Sequence, residues 1–137
     1  MFNDIYETIL RELQSAKSSG EFYTPRAVTQ FMTDIIDPQL GETVLDPACG
    51  TGGFLTCSID HVRKQVSTAK DREVLQSSIR GVEKKPFPHL LCTTNLMLHG
   101  FDLPSVTRGN FLNKAYSDWG ANDRVDVILS NPPFGGE

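Results

Sequence analysis

The fold is decided by the segment Asp46-Pro47-Ala48-Cys49-Gly50-Thr51-Gly52-Gly53-Phe54. It directly follows Thr43-Val44-Leu45, a short apolar run typical of a buried strand, and it precedes apolar residues at helical spacing. A glycine-rich turn between a strand and a helix is where doubly wound α/β proteins bind ligands, because the helix N-terminus presents free amide groups there. The sequence therefore predicts an α/β fold with a ligand site at residues 46–54.

Strands and helices alternate along the rest of the chain. The apolar patterns predict further strands at 79–82, 106–108 and 125–129, and helices from 53 onward and over 86–99. The polar stretch 63–76 is expected to hold a helix end and a loop. Strands that alternate with helices imply right-handed crossovers, so we expect a doubly wound, mainly parallel sheet with helices on both faces.

The N-terminal part of the chain differs from the rest. Residues 1–19 read as an amphipathic helix and a linker, with apolar residues at helical spacing: Phe2, Ile5, Tyr6, Ile9, Leu10 and Leu13. Thr24 and Pro25 predict the start of a second helix, with the threonine as its N-cap. The expected buried face of that helix consists of Val28, Phe31, Met32 and Ile35. We therefore separate 1–19 from a truncated core domain at 20–137.

Composition limits the function classes. The 137 residues are about one domain in length, and a net charge of −4 disfavours a self-sufficient DNA-binding module. No apolar stretch is long enough to span a bilayer, so we expect a cytoplasmic protein without membrane contact. The three cysteines form no C-x-x-C pair and the three histidines are scattered, so we expect free thiols and no metal site.

Three segments together carry a family resemblance: Gly20-Glu21-Phe22-Tyr23-Thr24-Pro25, residues 46–54, and Asn131-Pro132-Pro133-Phe134 after the last strand. They resemble the signature of S-adenosyl-L-methionine-dependent DNA amino-methyltransferases, and specifically of the modification subunits of type I restriction systems. The resemblance implies methyl transfer to the exocyclic N6 of adenine in DNA. It covers nearly the whole chain, but members of this family are much longer, so we expect a fragment that need not be active alone.

The resemblance also implies a cofactor site. Asp46 would position the amino group of the methionine moiety, and Glu83, 31 positions beyond Gly52, would accept hydrogen bonds from the ribose hydroxyls. Asn110 and Phe111 match the positions that flank the adenine ring, although many relatives carry aspartate in place of this asparagine. The remaining residues expected around the cofactor are Glu21, Phe22, Tyr23, Thr24, Pro25, Pro47, Ala48, Gly50, Thr51, Gly52, Gly53 and Phe54.

The catalytic prediction concerns Asn131, Pro132, Pro133 and Phe134. The exocyclic nitrogen of adenine is a poor nucleophile because its lone pair is delocalised into the ring. The side-chain oxygen of Asn131 and the carbonyl of Pro132 could accept its two hydrogens and favour a tetrahedral nitrogen, while the prolines fix the spacing. Phe134 would stack on a base extruded from the duplex.

Several alternatives stay open. The same four residues, often with tyrosine in place of Phe134, occur in methyltransferases that act on amino groups of RNA bases or protein glutamine. A dinucleotide site is disfavoured, because its fingerprint needs glycine where Leu55 stands and an acid about 20 residues on. A purely structural turn or a non-catalytic scaffold domain is the remaining alternative. The expected partners are a specificity subunit, a restriction subunit, and DNA bound mainly through regions outside this chain.

Overall fold

The computed structural model describes residues 23–135 and, before them, positions 4, 5, 8, 9, 11 and 12. Within these residues one sheet is formed by four parallel strands: β1 (Val44–Asp46), β2 (Ile79–Glu83), β3 (Ser105–Arg108) and β4 (Val127–Ile128). Their order across the sheet is β3-β2-β1-β4, so the chain reverses its direction of growth between β1 and β4. This switch point opens a crevice at the carboxyl ends of the two strands. The predicted α/β fold with a mainly parallel sheet is confirmed.

The helices in the described part of the chain are α1 (Arg26–Ile36), α2 (Gly53–Arg63), α3 (Ala69–Ser78) and α4 (Pro86–Leu98). Three single-turn 3-10 helices, Phe111–Asn113, Tyr116–Asp118 and Ala121–Asp123, connect β3 to β4. The described positions before residue 23 have helical backbone, and the rest of the segment 1–19 lies outside the described residues, so its amphipathic helix and linker stay a prediction. None of these described helices has the length and apolarity needed to cross a lipid bilayer.

The hydrophobic core lies between one face of the sheet and helices α2, α3 and α4. Val44 and Ile79 are neighbours in the β1–β2 register, and both are almost completely buried. They belong to one cluster with Leu55, Ile59, Val62, Leu75, Cys92, Leu96 and Phe101. Burying each large aliphatic side chain contributes about 1.5–3 kcal/mol, so this cluster fixes the positions of the strand ends.

The opposite face of the sheet is covered differently. Leu45, Arg80 and Val82 line a groove there together with residues of the 3-10 segment. Within the described residues this face therefore carries irregular chain, where the sequence predicted helices on both faces. Ile128 of β4 remains 59% exposed on this side of the sheet.

Helix α1 corrects two sequence predictions. Its N-cap is Pro25, with no side-chain cap, so the prediction that Thr24 caps the helix is wrong. The predicted buried face is also wrong, since Phe31 is 64% exposed while Thr29 and Thr33 are buried. The reason is close packing against α2: the Thr29 hydroxyl lies 3.2 Å from the thiol of Cys57. Short side chains allow this approach, and the buried hydroxyls bond to carbonyls of their own helix.

The polar stretch 63–76 contains most of a regular helix that the sequence analysis did not assign. Helix α3 begins after Thr68, whose hydroxyl accepts a hydrogen bond from the Asp71 backbone N–H at 3.0 Å. The Asp71 carboxylate in turn accepts from the Thr68 N–H at 3.0 Å, which completes a capping box. Only Leu75 and Ser78 of this polar helix are buried, so its apolar pattern is too weak to predict a helix. The sequence feature that could have predicted it is the Thr68–Asp71 capping box.

Candidate functional site

Asp46, the last residue of β1, carries a buried carboxylate at the crevice. Only 1% of the residue is exposed, and its Oδ1 accepts hydrogen bonds from the Ala48 N–H at 3.1 Å and the Ser130 hydroxyl at 2.8 Å. No hydrogen bond from the described residues reaches the other oxygen, Oδ2. Burial raises the pKa of Asp46 from 3.8 to about 6; the two hydrogen bonds oppose this change, and the charge of Glu83 adds to it. A desolvated carboxylate with an unbonded oxygen is suited to a cationic group of a ligand.

The glycine-rich turn after Asp46 contains two residues in the left-handed region of backbone conformation. Gly52 has a φ of +93°, and a Cβ added there would lie 2.8 Å from the sulfur of Cys92, so this glycine is required for packing. Gly50 has a φ of +54°, but a Cβ added there would meet no atom within 4 Å. The bare backbone of Gly50 therefore borders open space, where a ligand can approach it closely.

Glu83, the last residue of β2, connects this turn to the neighbouring strand. Its Oε2 accepts a hydrogen bond from the Gly50 N–H at 2.8 Å, and its Oε1 accepts one from the Lys85 N–H at 2.8 Å. The carboxylate therefore holds the turn in place, a role that the sequence did not predict. Each carboxylate oxygen can accept a second hydrogen bond, so the predicted contact with ribose hydroxyls is compatible with this arrangement.

Residues 130 and 131 contact both predicted cofactor segments. The hydroxyl of Ser130 donates to Asp46, and the Nδ2 of Asn131 donates to the hydroxyl oxygen of Thr24 at 3.1 Å. These partners lie 84 and 107 positions away in the sequence. The fold thus brings the segment before α1, the turn after β1 and the loop after β4 together at one crevice.

The rest of the predicted catalytic segment lies at the surface. Pro132 and Pro133 are exposed, and the ring of Phe134 is 83% exposed. An aromatic ring with this exposure is accessible to a planar partner. The stacking of a base on this ring stays a prediction.

Asn110 and Phe111 lie at the other end of the sheet edge, after β3. The Oδ1 of Asn110 accepts a hydrogen bond from the Leu112 N–H at 3.0 Å and so caps the first 3-10 turn. The ring of Phe111 packs against Trp119, with 4.9 Å between ring centroids, and Lys114 Nζ lies 4.5 Å from the centroid of the Trp119 ring. These four residues help to line the groove of about 360 Å³ on the open sheet face.

The other predicted cofactor residues differ in how much surface they offer. Tyr23, Pro47, Ala48 and Gly53 are half-buried and Pro25 is exposed around the crevice. Phe54 is only 3% exposed and Thr51 only 7%, so their side chains belong mainly to the interior. Glu21 and Phe22 lie outside the described residues.

Two buried cysteines lie directly behind the glycine-rich turn. The sulfurs of Cys49 and Cys92 are 3.7 Å apart, and both thiols are free, as predicted. The hydrogen bond to Cys92, followed by burial, raises the pKa of the Cys49 thiol far above its usual range. Cys49 therefore stays protonated and supports packing, because a nucleophilic cysteine requires a lowered pKa.

The model of the family described as N-6 DNA Methylase matches residues 1–137, the full length of the chain. The chain belongs to this family. The predicted family resemblance is therefore confirmed, and the crevice between β1 and β4 is the candidate active site of this N-6 DNA methylase domain.

Individual relatives agree with this assignment. The domain is 60% identical to the EcoEI type I restriction enzyme methylase subunit of Escherichia coli, over 99% of this chain and 28% of that protein. It is 30% identical to the MjaIX methylase subunit of Methanocaldococcus jannaschii, over 98% of this chain and 23% of that protein. A solved modification subunit assigned to a type I restriction enzyme of Vibrio vulnificus YJ016 matches with a TM-score of 0.88 and 56% identity, over 98% of this chain and 28% of that one. The methylase domain thus spans about a quarter of the length of these relatives.

The sequence analysis missed Ser130 as a member of the methylase site. A serine before Asn-Pro-Pro is an ordinary turn residue, and the sequence gives no sign that its hydroxyl bonds to Asp46. The signal that could have pointed to it is its place directly after a parallel strand. Residues at the carboxyl end of such a strand border the crevice at the switch point.

Proposed function

We propose that this chain is the cofactor-binding and catalytic part of a DNA methyltransferase that transfers a methyl group from S-adenosyl-L-methionine to N6 of adenine. The observation that carries the proposal is the pair of hydrogen bonds Ser130–Asp46 and Asn131–Thr24. They join the proposed catalytic loop to both proposed cofactor segments. Membership of the N-6 DNA methylase family supports DNA over RNA or protein as the substrate.

The residues of the crevice fit the cofactor. The unbonded Oδ2 of Asp46 would accept a hydrogen bond from the ammonium group of the methionine moiety, and the open side of Gly50 would leave room for the nucleoside. Glu83 would bind the ribose, and Asn110 and Phe111 would border the adenine. When bound, the cofactor supplies a methyl group that is electrophilic because its sulfur carries a positive charge.

The catalytic loop would prepare the acceptor nitrogen. Thr24 accepts the hydrogen bond from Asn131 Nδ2, which leaves Asn131 Oδ1 to accept a hydrogen from N6 of the target base. The carbonyl of Pro132 would accept the second hydrogen, so the lone pair of N6 is drawn out of conjugation with the ring. Phe134 would hold the extruded base by stacking, and the extra proton would leave the nitrogen after transfer.

The partners follow from the same proposal. Since the chain carries a net charge of −4, most phosphate contacts would come from other parts of the subunit or from a specificity subunit. A restriction subunit would join the same assembly. The core at 20–137 would then supply chemistry, while DNA recognition lies elsewhere.

The cofactor proposal is tested by calorimetric titration of this chain with S-adenosyl-L-methionine, with NAD as the parallel control. Saturable binding that is lost in Asp46→Ala, and no binding of NAD, is the expected result. Binding of NAD, or binding of S-adenosyl-L-methionine that survives in Asp46→Ala, would contradict the proposed site.

Catalysis is tested in an intact subunit that contains this chain. Asn131→Ala should lower kcat about a hundredfold or more, because an interaction made in the transition state is removed. Cofactor affinity should stay nearly unchanged, and Asn122→Ala, at an exposed asparagine of the third 3-10 helix, should retain full activity as the control. Methyl transfer by Asn131→Ala at the normal rate would contradict the catalytic role.

A further inference from the structure

The loop that carries Asn131 follows the short strand β4. β4 contributes Val127 and Ile128 to the sheet, and the Leu129 N–H donates a hydrogen bond to the Leu45 carbonyl at 3.1 Å. Beyond Leu129, side-chain hydrogen bonds of Ser130 and Asn131 connect the loop to Asp46 and Thr24.

Ser130 is the second residue beyond β4, and its side chain anchors the start of the loop. A serine hydroxyl has one proton to donate, and here it is directed at Oδ1 of Asp46 over 2.8 Å. Because its acceptor is almost completely buried, this hydrogen bond is shielded from competition with water. Hydrogen bonds to charged groups are also stronger than those between neutral groups.

We propose that Ser130 is a positioning residue that couples the cofactor pocket to the catalytic loop through its hydrogen bond to Asp46. The inference rests on the proposed function and deepens it. The same carboxylate bonds to Ser130 through Oδ1 and offers Oδ2 to the cofactor. A ligand that orients the Asp46 carboxylate thus also orients Ser130, and with it the neighbouring Asn131.

The coupling has a signature that a merely structural serine would lack. The hydrogen bond from Ser130 lowers the pKa of Asp46, against burial and the charge of Glu83, which raise it. Glu83 is the charged side chain that acts on Asp46 from the neighbouring strand, and the Ala48 N–H is the other donor to its carboxylate. Loss of the Ser130 hydroxyl should therefore move the protonation of Asp46 to higher pH.

The test uses Ser130→Ala in an intact subunit that contains this chain, with kcat, KM and the dissociation constant of S-adenosyl-L-methionine measured from pH 5.5 to 8. At pH 7.5, kcat should fall about tenfold or more, the lower end of the effect of losing a hydrogen bond to a charged group. KM for the cofactor should change much less. The pH at which cofactor affinity falls to half should rise relative to the unsubstituted subunit.

Two further variants separate coupling from stability. Ser130→Thr retains the hydroxyl and should restore both kcat and the pH midpoint. Ser78→Ala removes another buried serine hydroxyl, which donates to the Leu75 carbonyl at 2.9 Å in its own helix, and should change neither quantity. Thermal melts of each variant report whether the folded fraction is equal.

The outcomes are distinct. The coupling predicts both a lower kcat and a higher pH midpoint of cofactor affinity for Ser130→Ala. If this variant matches the unsubstituted subunit in either quantity, the coupling is wrong. A fall in kcat that Ser130→Thr does not restore would also overturn it. If the unsubstituted subunit fails to bind S-adenosyl-L-methionine, the proposed function itself fails, and this inference fails with it.

Discussion

The carboxylate of Asp46 should lower the stability of the protein at neutral pH. Its pKa is raised from 3.8 in the unfolded chain to about 6 in the folded one, first because burial removes the charge from water. The folded state therefore binds this proton more tightly than the unfolded state does. The resulting stabilisation is fully present below pH 3.8 and is lost as the pH rises through about 6. At about 1.4 kcal/mol per pH unit, this loss amounts to about 3 kcal/mol at pH 8.

Asp46→Asn removes the charge but retains the shape of the side chain. The amide oxygen can still accept the hydrogen bonds from Ser130 and Ala48, so the folded structure should be preserved. We expect the variant to be more stable than the original chain by up to about 3 kcal/mol at pH 8, and by nearly nothing at pH 4. It should also lose affinity for S-adenosyl-L-methionine, because an amide does not neutralise the ammonium group.

The assay is urea unfolding of both chains at pH 8, 6 and 4, followed by circular dichroism. Asp126→Asn serves as the control of opposite sign. The Asp126 carboxylate accepts hydrogen bonds from the N–H and hydroxyl of Thr43, which lower its pKa, so this substitution should destabilise the chain at pH 8. An Asp46→Asn chain that is no more stable than the original at pH 8, or whose advantage persists unchanged at pH 4, would refute the reasoning.

Three further substitutions test other parts of the structure. Thr24→Val removes the acceptor for Asn131 Nδ2 and should lower kcat of an intact subunit about tenfold, whereas unchanged kcat would show that Asn131 needs no such anchor. Gly81→Ala places a Cβ 2.8 Å from Leu55 Cδ1 and should destabilise the chain by about 1–3 kcal/mol in urea unfolding; equal stability would mean that the core yields there. Thr68→Ala breaks the capping box and should lower stability by about 1 kcal/mol, with no change in cofactor affinity by calorimetry.

The sheet could be predicted from the sequence because its signals are local. β1 and β4 lie in mostly apolar segments, whereas β2 and β3 are mixed segments that contain β-branched residues. Predicted and observed strands agree at β1, β2 and β3 within one or two residues. The last strand is shorter than the predicted 125–129, since only Val127 and Ile128 pair with β1. A continuous apolar run fixes the existence of a strand, but the partner strand decides its length.

Helix faces were harder to predict than helix positions. The apolar residues of α1 suggested one buried face, yet the neighbouring α2 accepts the threonine face, because Thr29 fits against Gly53 and Cys57. The small volume of the threonine side chains, and not their hydrophobicity, determines which face of α1 packs against α2. The exposed apolar face that remains, including Phe31 and Ile35, shows that amphipathic spacing predicts a helix but does not identify its partner.

The parts of the site that are contiguous in sequence could be predicted, and the contacts between distant parts could not. The turn after β1 and the Asn-Pro-Pro-Phe segment are contiguous motifs, so their presence could be predicted, whereas their connection depends on contacts over 84 and 107 positions. Thr24 shows why distant contacts could not be predicted. The rule for helix caps predicted that its hydroxyl caps α1, but in the structure this hydroxyl accepts a hydrogen bond from Asn131 Nδ2. The buried carboxylate of Asp46 weakens the fold at neutral pH and still bonds to the proposed catalytic loop through Ser130. It is best understood as a group retained for ligand binding, since asparagine would serve a purely structural role better.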